Sequence, residues 1–340
     1  MLESAIVGCG PRAREHAVAY ERVQEARLVA ACDIDAGRLE AFANAFDLEQ
    51  RFTDAEQMLN SLHIDLVHIV TPPTVRVELI SLAAEKGVRG IICEKPIALR
   101  PSELQRITEV CERHEVRLVI NHQKRLASAW ERLRQIAQEE LGPVHLLSGS
   151  SGLNLMEQGT HLIDQILSIT GERPPTHLLA HVWGPEGYER SHAAPANAVL
   201  LLWWEDGLRA HLEFGQMAPH LEGEPNWAWY QLAAYGENGC AWVQLNRSLR
   251  WWHRDGLAEN PHPWAETNRE GQARLTQVMV DWLLGRCDDH PCALRWGRVS
   301  FEIIMAAYRS ALEERILSFP TECTDAHWYA LRSKVRQTAP

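Results

Sequence analysis

Two groups of residues in this 340-residue chain have the types and spacing to do chemistry. The first is Lys95 in Glu94-Lys95-Pro96, an amine placed just after the apolar run Gly90-Ile91-Ile92-Cys93. Proline at the next position restricts the backbone there. The second is Glu157, His161 and Asp164, spaced i, i+4 and i+7, which on a helix share one face. An amine and an imidazole around one secondary alcohol can take its hydroxyl proton and hold its oxygen as a carbonyl forms. Histidine titrates near neutrality and suits the general acid/base role, so His161 is expected to fill it. Lys95 is then expected to hydrogen-bond and polarise the reacting oxygen, with Glu157 orienting the pair or balancing its charge. A cationic partner beside Lys95 would disfavour its protonated form, so Lys95 can also share the proton. The two assignments stay open at this level.

Proton removal of this kind accompanies hydride transfer, and the N-terminus carries a matching cofactor signal. Gly8-Cys9-Gly10-Pro11-Arg12-Ala13 has the Gly-x-Gly-x-x-small pattern of a dinucleotide phosphate loop. Gly8 permits the tight turn, Gly10 lets the backbone approach a pyrophosphate, and Ala13 supplies the small residue for helix–strand packing. Arg12 and Arg14 add positive charge. Asp33 follows Gly10 by 23 residues, where an acid holds a ribose 2′-hydroxyl. It would repel a 2′-phosphate, so NAD is expected and NADP disfavoured. Val70-Thr71-Pro72-Pro73 would pass along the cofactor, and Asn121, Gln123, Lys124 and Arg125 are candidate pocket residues.

These residues need a sheet to position them. Short apolar runs at Ala5–Val7, Leu28–Ala31, Leu66–Val70, Gly90–Cys93 and Leu118–Ile120 alternate with amphipathic stretches. That pattern predicts an α/β domain, a doubly wound parallel sheet covered on both faces, with Lys95 at the carboxyl end of the strand Gly90–Cys93. Thr53 and Glu56 have capping-box spacing, Gly87 reads as a helix stop, and Pro101 as a first-turn residue. From about residue 142 the pattern changes to one helix at Glu157–Thr170 followed by six strand-like runs, with turns at Asp206-Gly207 and Asn238-Gly239. Helical patterns return at Arg269–Leu284 and Ser300–Arg315. Two domains are expected, a nucleotide-binding one over 1–122 and a substrate-binding and oligomerisation one over 123–340.

Composition narrows the partners. A formal charge of -11 argues against nucleic acid or an anionic membrane, and a hydrophobic fraction of 46% supports a large core. No apolar stretch approaches the roughly 20 residues of a membrane span, and no leader is expected before Ala5-Ile6-Val7. The eight cysteines lack metal-ligand spacing, so no metal is expected and a reducing cytoplasm fits. Eleven of the thirteen tryptophans lie between Trp183 and Trp296. Trp203, Trp204, Trp251 and Trp252 are expected to fill the sheet or an interface between copies rather than to stack on a sugar. A sheet face left uncovered would make a homodimer or homotetramer.

Together these motifs resemble the glucose–fructose oxidoreductase/inositol dehydrogenase (Gfo/Idh/MocA) family over nearly the whole chain. The resemblance rests on the phosphate loop, Val70-Thr71-Pro72-Pro73, Glu94-Lys95-Pro96, Arg125, Leu141-Gly142-Pro143-Val144, Gly159-x-His161-x-x-Asp164, Tyr235-Gly236-Glu237-Asn238-Gly239 and Ala306-Ala307-Tyr308-Arg309-Ser310-Ala311. It implies a C-terminal α/β domain with a large open-faced sheet. It also implies an NAD-dependent dehydrogenase or reductase acting on a sugar, polyol or cyclitol, with Lys95, Glu157 and His161 at the reaction. The chain departs from the pattern at Glu157, where relatives usually carry aspartate, and in the short stretch from Val144 to Glu157. Two other readings remain: a redox-neutral sugar-modifying enzyme that retains NAD, and a non-catalytic nucleotide-binding sensor. Retention of Lys95, Glu157 and His161 together counts against the sensor.

Overall fold

The computed structural model describes residues 1–220, 223–253 and 256–337. The chain divides into two compact units. The first comprises Met1–Ala98, Glu103–Leu126 and Asn268–Gly297; the second comprises Leu99–Ser102, Ala127–Thr267 and the described residues from Arg298 on.

The first unit contains β1 (Leu2–Val7), α1 (Pro11–Ala19), β2 (Ala26–Cys32), α2 (Ala36–Ala45), β3 (Gln50–Phe52) and α3 (Ala55–Ser61). It continues with β4 (Leu66–Ile69), α4 (Arg76–Glu85), β5 (Gly90–Cys93), most of α5 (Pro101–Arg113) and β6 (Arg117–Ile120). The strands pair in the order β3-β2-β1-β4-β5-β6, all parallel. This is the doubly wound arrangement expected, with the reversal of strand order between β1 and β4. Every residue of β4 and β5 is buried, as strands covered on both faces require. Burying each Ile of β5 contributes about 1.5–3 kcal/mol. Gly87 has φ +81° beyond α4, and Pro101 opens α5, as expected. The cap of α3 differs from the expectation. Asp54, not Thr53, accepts the Gln57 N–H at 2.7 Å, and the capping box is not formed as predicted. Strand β3 also went unread, because Gln50-Arg51-Phe52 has no buried residue to mark it.

The second unit contains α6 (Ser128–Glu139), β7 (Val144–Ser151) and α7 (Thr160–Ile169), the last entered through a π-helical turn at Leu155–Gly159. Then come β8 (His177–Trp183), β9 (Asn197–Trp203), β10 (Arg209–Phe214), β11 (Tyr230–Gly236), β12 (Gly239–Gln244), β13 (Ser248–His253) and β14 (Gly256–Pro261). The chain closes with α8 (Trp264–Leu283), α9 (Leu294–Glu313), β15 (Leu317–Ser318) and α10 (Asp325–Gln337). Nine strands form one sheet in the order β14-β13-β12-β11-β7-β10-β9-β8-β15. All pairs are antiparallel except β7 with β10. The β9–β10 turn uses Asp206-Gly207 as read, with Gly207 at φ +85°. The β11–β12 turn is Glu237-Asn238, one residue earlier than read, because Gly239 already pairs with Gly236.

Side chains alternate across this sheet. Leu200, Leu212, Leu232 and Val243 point to the buried side, while Leu201, Trp203, Trp242 and Trp252 point to the other. Trp252 is 56% exposed, whereas Trp204 is buried and donates its indole N–H to the Arg173 carbonyl at 3.0 Å.

Residues 268–297 return to the first unit. Leu275, Met279, Val280 and Leu283 of α8 pack with Leu66, Ile92 and Val119 of its strands. A Cβ on Gly90 would stand 2.5 Å from the Met279 methyl and 2.8 Å from a Leu283 methyl, so the ends of those α8 side chains would have to shift to admit a larger residue.

Candidate functional site

The β1–α1 turn is built as the sequence implied. Gly8 holds φ +96°, and a Cβ there would lie 2.4 Å from the Val70 carbonyl oxygen. Gly10 is the N-cap of α1, Pro11 is its first residue, and no side chain caps the helix. A Cβ on Gly10 would meet nothing within 4 Å, so the helix N-terminus opens onto space that an anion can enter. Thr71 Oγ1 is buried with no hydrogen-bond partner among the described residues. Both observations fit a bound dinucleotide.

Asp33 follows β2, and its carboxylate is fully engaged. Oδ2 accepts the Cys9 N–H at 2.8 Å, which ties the acid to the phosphate loop. Oδ1 accepts the Asp35 N–H at 2.8 Å, and Arg38 donates to both oxygens at 3.3 and 2.8 Å. Burial opposes ionisation, but Arg38 and the two backbone N–H groups outweigh it and hold the carboxyl below the usual aspartate range. A carboxylate offers about four acceptor sites, so Asp33 can take a ribose hydroxyl only by displacing or sharing one donor. Arg38, half exposed on α2, is the donor able to move. Sequence reading missed it, although an arginine five residues past the acid was visible. It also missed Ile34, which stands 89% exposed directly after Asp33. An exposed isoleucine there offers a flat base an apolar surface.

Glu94 lies at the end of β5, buried, and gathers several polar groups. Oε1 accepts from Arg12 Nε at 2.6 Å, His16 Nε2 at 3.1 Å and Asn121 Nδ2 at 2.8 Å; Oε2 accepts the Lys95 N–H at 3.3 Å. Burial raises its pKa, yet the Arg12 charge and the His16 hydrogen bond prevail and hold it well below the usual carboxylate range. Gln272 joins Arg12 and Asn121 at 3.0 Å each. Glu94 thus sits beneath Lys95 as an anchor. Arg76, another residue the sequence did not suggest, is buried on α4. It donates to the Thr71 carbonyl at 3.1 and 2.6 Å and to the Pro96 carbonyl, so one guanidinium ties the loop after β4 to the loop after β5. Pro72 is extended and Pro73 opens a short 3-10 turn, Pro73–Val75, which leads into α4.

Beyond β6, Asn121, Gln123, Lys124 and Arg125 are all buried. With its amide nitrogen toward the Asn121 carbonyl at 3.0 Å, Gln123 turns its oxygen to Arg12 at 2.9 Å. Arg125 donates to the Pro291 carbonyl at 3.0 Å. Burial, then the charges of Lys95 and Arg12, push the Lys124 amine well below the usual lysine range. The carboxyl edge of the six-stranded sheet therefore collects Gly8, Gly10, Arg12, Asp33, Thr71, Glu94, Lys95, Asn121 and Gln123.

Glu157, His161 and Asp164 belong to the other unit and share one helical segment. That segment is not the single α-helix expected: Glu157 lies in the π turn, where i→i+5 bonds widen the coil, and His161 and Asp164 lie in α7. Asn154 caps the turn, accepting the Glu157 N–H at 2.8 Å. The Glu157 carboxylate faces Arg190 at 3.5 Å and His192 at 3.7 Å, from a loop that sequence reading passed over. His161 and Asp164 are buried, and the Asp164 charge reaches the buried Tyr230 hydroxyl.

Comparison with known proteins agrees with this geometry. Residues 2–122 match the family model described as "Oxidoreductase family, NAD-binding Rossmann fold". D-apiose dehydrogenase of Paraburkholderia graminis is 37% identical over 120 residues, 35% of this chain and 32% of that protein. Inositol 2-dehydrogenase of Salmonella typhimurium is 27% identical over 163 residues, 47% of this chain and 46% of that protein. These matches span about a third to a half of the relatives' length. An Agrobacterium radiobacter oxidoreductase, solved in complex with NAD+, L-tartaric acid and magnesium, superposes with a TM-score of 0.81. It covers 93% of this chain and 98% of its own at 22% identity, a likeness of fold. The phosphate turn, the acid after β2 and the lysine after β5 all lie within the stretch that matches the Gfo/Idh/MocA family model, residues 2–122, about a third of the chain.

Proposed function

We propose that the protein is an NAD-dependent dehydrogenase or reductase that acts on a secondary alcohol or the corresponding carbonyl of a sugar, polyol or cyclitol. One observation carries this reading: the open Gly8–Gly10 turn, Asp33 and Lys95 line the carboxyl edge of one doubly wound sheet. Relatives named as inositol and apiose dehydrogenases support a polyhydroxylated substrate.

The N-terminus of α1 and Gly10 would hold the pyrophosphate, Asp33 a ribose hydroxyl, and Thr71 Oγ1 a polar group of the dinucleotide. Bound NAD supplies the hydride acceptor or donor. The chain's own part is the proton. His161 takes or returns the substrate hydroxyl proton, and Lys95 Nζ holds the oxygen. Glu157, charge-balanced by Arg190 and faced by His192, orients the imidazole side. Asn121, Gln123, Arg125 and Asp164 are proposed to shape the pocket. We also propose a homodimer or homotetramer joined through the partly apolar sheet face that carries Trp203, Trp242 and Trp252.

The test is a panel of sugars, inositols and sugar acids with NAD, followed by NADH absorbance. Turnover of at least one member is expected. Lys95→Ala and His161→Ala should each lower kcat by about 10²–10⁴. Rates within a few-fold of the parent protein would sink these roles.

A further inference from the structure

A buried chain of side chains stands behind Glu94 that the proposed reaction does not use. The Tyr20 hydroxyl lies 2.8 Å from His68 Nε2, His68 Nδ1 lies 2.9 Å from His16 Nδ1, and His16 Nε2 lies 3.1 Å from Glu94 Oε1. The two imidazoles meet edge to face, 5.2 Å between centroids at 88°, and both are 0% exposed. The chain joins α1 to β4 and ends at the residue before Lys95.

Its hydrogens can be placed by elimination. An ionised carboxylate only accepts, and Asn121 Nδ2, 3.2 Å from the same ring nitrogen, spends its two hydrogens on Glu94 Oε1 and Gln272 Oε1, so His16 Nε2 carries the proton that faces Glu94. Burial lowers the pKa of His16 despite Glu94, so the ring is neutral and its Nδ1 is an acceptor. His68 Nδ1 must then donate, which leaves its Nε2 to accept from the Tyr20 hydroxyl. Burial and the neighbouring His16 likewise keep His68 neutral, well below the usual histidine range. A second proton on His16 would set its Nδ1–H against the His68 Nδ1–H at 2.9 Å, and one on His68 would turn its Nε2–H onto the Tyr20 hydroxyl at 2.8 Å and reverse that bond. Every member therefore donates in the same direction, toward Glu94.

We propose that Tyr20, His68 and His16 form a one-directional hydrogen-bonded relay that fixes the Glu94 carboxylate and, through it, the position and charge of Lys95. The three are positioning residues, and the proposal rests on the reading of Lys95 as the reactive amine. Around Glu94 the facing charges are Arg12 on α1, Arg76 on α4 and Lys95 beside it. Arg12 and Asn121 hold the same Oε1 from the front, while His16 holds it from behind. An anchored anion favours the protonated amine of Lys95.

The experiment is NMR on the full-length protein with labelled histidine and lysine side chains. His16→Gln, His68→Gln and Lys95→Arg assign the signals. His16 should show the Nε2–H tautomer and His68 the Nδ1–H tautomer, and both should titrate below the ordinary histidine value of 6.5. His68→Leu should lower the measured Lys95 pKa by about half a unit or more. Tyr20→Phe should lower it less. His68→Gln should keep the parent value, because a glutamine amide can donate to His16 and accept from Tyr20. An Nδ1–H tautomer at His16, or a Lys95 pKa unmoved by both His68→Leu and Tyr20→Phe, overturns the proposal. If His68→Leu does not fold, Tyr20→Phe carries the test alone. None of these readouts needs a substrate, so failure of the dehydrogenase reading shows separately, as absence of NADH formation.

Discussion

At the scale of single residues, cofactor choice turns on the pair Asp33 and Arg38. An unshielded acid after β2 would exclude a 2′-phosphate. Here the acid is neutralised by a guanidinium that reaches both its oxygens. Removing Arg38 leaves acceptor sites for a ribose and restores the repulsion. Arg38→Leu should therefore raise the preference for NAD over NADP about tenfold in a calorimetric titration. Asp33→Ala should weaken NAD by about 10–100-fold, the value of one or two hydrogen bonds to a charged group. NADP binding tighter than NAD to the parent protein would defeat the reading of Asp33. Acidity has a defined sign as well. His16 and His68 have folded pKa values below their ordinary 6.5. The unfolded chain thus binds more protons, and the stability contributed by these neutral rings is present above about pH 6.5 and lost as pH falls below it. Glu94, also depressed, acts in the same direction at lower pH. The midpoint of thermal unfolding should drop between about pH 7 and pH 5, with a shallower slope in His68→Leu.

At the scale of elements, the sequence was most legible where a residue type admits one explanation. Gly8 and Gly10 marked the β1–α1 turn because the backbone there needs φ +96° at one and empty space at the other. Gly8→Ala should accordingly abolish NAD binding and lower the unfolding midpoint, since its Cβ would collide with the Val70 carbonyl. Legibility failed where two neighbours were chemically equivalent. Thr53 and Asp54 can each cap α3, and the choice between them depends on backbone geometry that spacing does not encode. Asp54→Ala should cost about 1 kcal/mol, against a few tenths for Thr53→Ala, in denaturant titrations. It failed again at the π turn, because the extra residue leaves no mark on hydrophobic periodicity. The partners Arg190 and His192, and the Pro96 contact of Arg76, were hidden for a different reason: each joins stretches of chain well apart in sequence, and nothing local marks it.

At the scale of the whole molecule, the nine-stranded sheet sets up the assembly test. Trp252 at 56% exposure and Leu257 at 53% pair across β13 and β14 on the partly apolar face. Light scattering at micromolar concentration should report a dimer or tetramer, and Trp252→Glu should shift it toward monomer. A monomeric parent protein would refute assembly through that face. The return of residues 268–297 to the first unit has a temporal consequence. The six strands end at Ile120, yet the apolar residues that cover Leu66, Ile92 and Val119 lie on α8, and Gln272 completes the cluster around Arg12 and Asn121. During synthesis the nucleotide-binding sheet would emerge from the ribosome long before its last wall. At about 5–20 residues per second, the wait for residue 297 is roughly ten to thirty seconds. For that interval the nascent chain presents a bare apolar sheet face, the kind of surface that a holding chaperone recognises.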